Sequence, residues 1–269
     1  VQIWLPPSEG KTAPLSGPNL TLSELSFPGL EDARKAVIDA TQSLGAGPRA
    51  AEVLKLGVKS AEEAEANLDL FHSPCAPAID LYTGVLFDHL EASTLDEAAR
   101  LRLGQRTLIS SGLFGVVRPD DLIPNHRLSV AVNLPSVGPL TTWWKKRLPE
   151  QVRVEDGSTI FDCRSGSYRT PLPTPSSNII EMSVVHPRHG VRKTITHMAK
   201  KWRGLAARHL IEDVTLNDHA GVEDVLSSLH RLAEDPGSGE ITDFEVEPTM
   251  PNRSGGSTTS VTMVLSPIP

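Results

Sequence analysis

The chain has 269 residues, 39% of them hydrophobic and 22% charged, an ordinary balance for one large globular domain or two intimate ones. Its formal net charge of −7 excludes a protein that coats nucleic acid through bulk charge, and no run approaches the ~18 apolar residues of a membrane-spanning helix, so no membrane partner is expected. Cys75 and Cys163 are too far apart in sequence for a CxxC site, which argues against a zinc or disulfide scaffold and fits a cytoplasmic protein.

In chain order, residues 2–6 read as a buried strand with no basic stretch before it, so no signal peptide is expected. Pro7-Ser8-Glu9-Gly10-Lys11-Thr12 follows. Gly-Lys-Thr resembles the end of a phosphate loop, but Leu5 stands where that motif needs Gly. Pro14, Gly17 and Pro18 also deny it the helix that would hold the phosphate. A lysine on such a loop can bind an anion, serve as a base if desolvated, or simply be solvated. Apolar spacing at Leu30, Ala33, Ala36, Val37 and Ala40 predicts a helix over 29–44. Short helices over 49–57 and 60–71 predict a helical hairpin at about 48–72. Such hairpins can offer backbone N–H groups to DNA phosphates. Here the second helix opens Ala61-Glu62-Glu63-Ala64-Glu65, whose charge repels phosphate, and a plain hairpin fits better. Thr94-Leu95-Asp96-Glu97 opens a helix to about Leu103 with Gly104 as its stop.

Thr107 to Arg127 is a strand that breaks at Ser110-Ser111-Gly112 and stops at Arg118-Pro119-Asp120-Asp121. A strand delivering small polar residues and glycine to its C-terminal edge suits a site in an α/β protein, and it also suits a tight turn. Leu128–Leu134 reads as a strand. Thr141 to about Val152 reads as a helix whose Trp143 and Trp144 serve packing. Thr159–Cys163 is a strand that repeats the strand-end pattern at Arg164-Ser165-Gly166-Ser167-Tyr168, and Asn178–His186 is a buried strand. From His186 to His209 there are seven Lys or Arg and no Asp or Glu. A helix is predicted from about Lys193 to Glu212, with Ile195, Met198, Trp202, Leu205 and His209 on its core face. Gly204 in mid-helix, costing ~1 kcal/mol against Ala, signals a close approach. Val222–Glu234 is an amphipathic helix, and Phe244–Pro248 and Ser260–Leu265 read as strands. The expected fold is mixed α/β (α+β): a central mixed sheet with surrounding helices, the hairpin insertion near the N-terminus, and a basic cleft.

Several pieces occur together in one order. They are Pro7 with Lys11-Thr12, Tyr82-Thr83-Gly84, Ser111-Gly112-Leu113-Phe114-Gly115-Val116-Val117-Arg118-Pro119 with Asp121-Leu122, and Arg127-Leu128. Trp144, Ser165 with Tyr168, and Lys200-Lys201-Trp202-Arg203-Gly204 follow. As an ordered set covering nearly the whole chain they resemble the YaaA family of peroxide stress proteins, and Pro-Ser-Glu-Gly-Lys-Thr is similar to its actinobacterial branch. The resemblance implies one domain over 1–269, a cleft lined by basic residues, a role in limiting hydrogen peroxide damage by limiting free iron, and DNA binding through a helix-hairpin-helix. The sequence departs from the pattern in the inserted Glu9-Gly10, in Ser167 where relatives often carry Glu, and in the acidic hairpin.

Two functions follow as expectations. One is binding of a phosphate-bearing partner, either a small molecule or duplex DNA, on a basic surface supplied by Lys193, Lys200, Lys201, Arg203 and Arg208. The other is an enzyme acting on a nucleotide or nucleobase, with Lys11, Ser111, Arg118 and Lys201 in its active site. Candidate catalytic residues are Lys11, Tyr82, Ser111, Tyr168 and Lys201. Candidate ligand-binding residues are Thr12, Thr83, Gly112, Arg118, Asp121, Ser165, Lys200 and Arg203. No cofactor is expected. No metal site is expected either, because His186, His189 and His197 form no ligand pair on one helix face with a carboxylate. Ser111 and Arg118 are expected to share one cleft with Lys11 and Lys201.

Overall fold

A computed structural model describes residues 1–174, 176–188, 191–194, 199–234, 240–252 and 255–266. Its strands are β1 (Gln2–Leu5), β2 (Cys75–Pro77), β3 (Thr107–Ser111), β4 (Gly115–Val117), β5 (Leu122–Pro124), β6 (Asn133–Leu134), β7 (Gly138–Pro139), β8 (Thr159–Asp162), β9 (Asn178–Arg188), β10 (Val191–Thr194), β11 (Ile241–Val246), β12 (Met250–Pro251) and β13 (Ser257–Leu265). Its α-helices are α1 (Glu31–Gln42), α2 (Pro48–Leu54), α3 (Ala78–Leu81), α4 (Val85–Leu90), α5 (Glu97–Arg106), α6 (Leu140–Lys145), α7 (Leu148–Gln151), α8 (Gly166–Arg169), α9 (Ala199–Glu212) and α10 (Val222–Glu234).

The main sheet runs β11-β13-β9-β8-β1-β3-β4, with β10 on β9 and β12 on β13. The neighbours from β13 to β3 pair in parallel. β11, β4, β10 and β12 add antiparallel partners at the margins. The fold is thus mixed α/β. β1, β3 and β8 are buried almost throughout, as strands covered on both faces must be, and this is why they read as continuous apolar runs. The chain leaves β1 for β3 on one side and then crosses to β8 on the other. The strand order therefore reverses at β1, and a crevice is expected at the carboxyl ends there.

Two close approaches fix glycines. A Cβ at Gly204 would lie 2.3 Å from the Leu86 carbonyl oxygen, so α9 can pack on α4 only with glycine at that position. A Cβ at Gly112 would lie 2.3 Å from the Leu128 carbonyl oxygen, and the Gly112 carbonyl accepts from the buried Trp144 indole at 2.9 Å. Gly112 is therefore a packing position, and Trp144 serves packing as expected.

Some elements differ from the sequence reading. Lys193 lies in β10, paired with β9, and the helix starts only at Ala199; Val191 and Thr194 favour the strand. Ile195, Met198, His189 and His197 lie outside the described residues. Leu128–Leu134 is strand only at Asn133–Leu134, because other groups take its backbone bonds. Val130 N–H donates to Tyr168, its carbonyl accepts from Thr141, and the Ala131 carbonyl accepts from Lys55. The second arm of the hairpin is a 3-10 helix, Val58–Asn67. The cap of α5 is Asp96, which accepts from Ala99 N–H, and Gly104 lies within that helix. The segment from Thr141 forms two short helices, α6 and α7.

Candidate functional site

The loop after β1 is stitched to the segment around Tyr82. Thr12 N–H donates to Leu81 O at 2.9 Å and Thr83 N–H donates to Gly10 O at 3.1 Å, so Lys11 and Tyr82 face each other as an isolated bridge. The sequence pieces Gly10-Lys11-Thr12 and Tyr82-Thr83-Gly84 are thus one structural unit. The Lys11 ammonium donates to Ser8 O at 3.0 Å and Glu9 O at 3.3 Å and stands 5.2 Å from the Tyr82 ring centroid. Burial, and then the Arg127 guanidinium, push its pKa down to about 8, against the opposing pull of Glu63 and Glu9.

Behind Lys11 lies a buried aromatic cluster. Tyr82 stacks on Phe87, and His126 meets Tyr82 and Phe114 edge-on. Burial raises the Tyr82 phenol pKa, and nearby Ser111 opposes the shift. Yet the Tyr82 hydroxyl has no hydrogen bond of normal geometry among the described residues. Ser111 ends β3 and accepts from Phe114 N–H at 3.1 Å. Burial and then Lys11 hold His126 well below the usual imidazole range, so the ring is neutral. Its Nδ1 is 2.9 Å from the Pro124 carbonyl and must be the donor, which leaves Nε2 as an unprotonated hydrogen-bond acceptor. Tyr168 closes the cluster from the β8 side, its hydroxyl accepting from Val130 N–H at 3.3 Å. Burial raises its pKa, against Ser129 and the Val130 N–H.

In front of Lys11 is a cavity of about 260 Å³, lined by Glu9, Gly10, Lys11, Glu63, Ala66, Asn125, His126 and Arg127. Tyr82, Ser111 and Tyr168 sit beneath this wall and do not form it. The loop that carries Tyr168 is held by a buried pair. Arg164 grips Asp162 through Nε and Nη2, both at 2.9 Å, stacks on Trp4 at 4.4 Å, and is joined by Arg169, which also pairs with Glu181 at 2.6 Å.

Of the expected catalytic residues, the structure brings together Lys11, Tyr82, Ser111 and Tyr168, at the carboxyl ends of β1, β3 and β8. It places Lys201 elsewhere, paired with Glu240 beside the β11 margin at 3.1 Å and lying over Trp202. Arg118 follows β4, which runs antiparallel to β3, so it emerges at the opposite end of the sheet from Ser111. There it donates to the Gly104 and Gln105 carbonyls and lies over Phe27. Asp121 accepts from Ser26 and from Arg118 N–H, bracing the loop. Arg203 donates to the Met182 and Cys163 carbonyls, and Arg208 to those of Leu90 and Glu91. Ser165 is the exposed first flank of α8, while Thr12 and Lys200 are exposed and Thr83 part-buried. Sequence reasoning missed His126, and it used Arg127 only as part of a family pattern. The signal was their adjacency in Asn125-His126-Arg127 after an apolar strand. Among the described residues no group of three or more His, Cys, Asp or Glu is arranged to hold a metal, and no helix is long and apolar enough to cross a membrane.

Comparison with known proteins bears on this geometry. The family described as Peroxide stress protein YaaA matches residues 1–226. The chain is 34% identical over 257 residues to a UPF0246 protein of Streptomyces coelicolor, covering 94% of each chain. It is 37% identical over 229 residues to a UPF0246 protein of Corynebacterium glutamicum, covering 84% of this chain and 90% of that one. A UPF0246 protein of Dinoroseobacter shibae is 29% identical over 208 residues, 71% of this chain and 76% of the relative. With a family match that spans all of the strands and loops forming the Lys11 cavity, the chain belongs to the peroxide stress protein YaaA family.

Proposed function

We propose that this chain binds and acts on a small anionic molecule of the nucleotide class in the cavity at Lys11. The observation that carries the reading is Lys11 itself, an amine held at the point where the strand order reverses and pushed by burial to about 8. An amine so placed is partly unprotonated near neutrality and can take a proton from a ligand or attack an electrophilic carbon. His126 presents an unprotonated imidazole in the same wall, and Arg127 a fixed positive charge beside it. A cavity of about 260 Å³, just under the ~300 Å³ at which ligand pockets usually begin, suits a small molecule better than a duplex.

The duplex-DNA reading has less support. A phosphate-tracking surface needs free cations, yet Arg203 and Arg208 are committed to backbone carbonyls, which leaves the exposed Lys200, and Lys201 in an exposed pair with Glu240. The 3-10 arm beside the cavity carries Glu62, Glu63 and Glu65. The peroxide role also differs from that of a thiol peroxidase, because burial pushes the Cys75 and Cys163 thiols up to about 11 and about 12.

The test is a thermal-shift and calorimetric screen of nucleotides, nucleosides, nucleobases and duplex DNA against wild type, Lys11→Met and Tyr82→Phe. Stabilisation of wild type by a small molecule, lost in Lys11→Met, is the expected result. Steeply salt-dependent duplex binding that is indifferent to Lys11, with no small-molecule response, would overturn the reading.

A further inference from the structure

Arg127 is built unlike the other arginines near the site. Its backbone is clamped on both sides by Asn67, a residue 1% exposed. Arg127 N–H donates to Asn67 Oδ1 at 2.8 Å, and Asn67 Nδ2 donates to Arg127 O at 2.8 Å. Among the described residues its guanidinium, by contrast, is held by side chains that reach in from solvent. Nη2 is 2.8 Å from Glu9 Oε2 and Nε is 2.9 Å from Glu63 Oε2, and those carboxylate side chains are 76% and 49% exposed. Exposed ion pairs contribute little and exchange easily. Both glutamates and Arg127 line the same cavity as Lys11.

We propose that Arg127 is the residue that receives the phosphate of the ligand, and that Glu9 and Glu63 are internal stand-ins which the phosphate displaces. The inference rests on the small-molecule reading above and deepens it. The charges support a phosphate dianion in particular. Lys11 and Arg127 supply two positive charges and Glu9 and Glu63 two negative ones, so one dianion entering as two monoanions leave preserves neutrality. The planar guanidinium presents the paired donors that a phosphate accepts bidentately. Glu9 belongs to the loop that carries Lys11 and Glu63 to the 3-10 arm of the hairpin. Their release therefore opens the rim from both sides, while Asn67 keeps Arg127 in place. The inserted Glu9 and the acidic hairpin, which speak against a DNA surface, acquire a role as a charge gate.

The experiment titrates inorganic phosphate into the full chain and follows the arginine Nε–H resonances. It compares wild type, Arg127→Gln, the double variant Glu9→Gln/Glu63→Gln, and Lys11→Met. Arg127→Gln is expected to weaken phosphate at least about tenfold. The double variant is expected to tighten it about fivefold, because the competitors lose their charge; a merely structural role for the glutamates gives no such gain. Unchanged or weaker binding in the double variant overturns the proposal, even if Arg127→Gln fails to fold. Acetate binding in preference to phosphate overturns it as well. Binding lost in Lys11→Met but indifferent to Arg127 and both glutamates refutes this inference and leaves the small-molecule site standing. No binding of phosphate or nucleotide to any form removes both.

Discussion

Lys11→Met isolates the buried amine and gives the sharpest test of the site. Wild-type Lys11 has a pKa of about 8 in the folded chain against an ordinary value of 10.5. Between those values the unfolded chain holds the extra proton, so wild-type stability rises with pH across this window. Below about pH 8 both states are protonated and the folded state carries the full cost of the buried charge. The shift sets an upper limit of about 3 kcal/mol, and because Lys11 is part-exposed about 2 kcal/mol is expected. Other lysines and tyrosines titrate in the same window, so the quantity to measure is the difference in urea-unfolding free energy between wild type and Lys11→Met, at pH 7 and at pH 10. That difference should move in favour of wild type by about 2 kcal/mol as pH rises. In parallel, amine labelling at pH 7 followed by peptide mapping should find Lys11 the fastest-reacting lysine that the reagent can reach. Its unprotonated fraction there is about 10%, against well under 0.1% for an ordinary lysine. A pH-independent stability difference, together with Lys11 titrating near 10.5, would refute the argument that burial outweighs Glu9 and Glu63.

Other substitutions probe the scaffold. Gly204→Ala should destabilise by about 2 kcal/mol in thermal melts, because the new Cβ meets the Leu86 carbonyl oxygen, whereas helix propensity alone would predict a gain. Asp162→Asn should cost about 3 kcal/mol in denaturant unfolding, since it leaves the Arg164 guanidinium, 2% exposed, without its counter-charge. Cys75 and Cys163, both buried with raised pKa, should resist a disulfide reagent at pH 8 and react only after denaturation. Rapid native reaction of either thiol would reopen a direct thiol role against peroxide.

The sequence by itself determined the elements whose local pattern is strong, and the family. β1, β3 and β8 are apolar runs because parallel strands are buried on both faces. α1 and α10 carry helical spacing because one face of each is core. Gly204 announced a close approach because only contact justifies glycine in mid-helix. Lys11, Ser111 and Tyr168 were legible as residues at or just after strand ends. What only the tertiary structure decided is which charges are free. Arg118, Arg203 and Arg208 look like ligand cations in sequence, but backbone carbonyls already hold them. Register decided it for Arg118, since an antiparallel turn after Ser111 carries that residue to the other end of the sheet. Burial decided it for Lys11 and His126, whose charge states depend on neighbours up to about 115 residues distant in sequence. Composition counts cations, but a charge becomes available to a ligand only when the fold leaves it without a better partner.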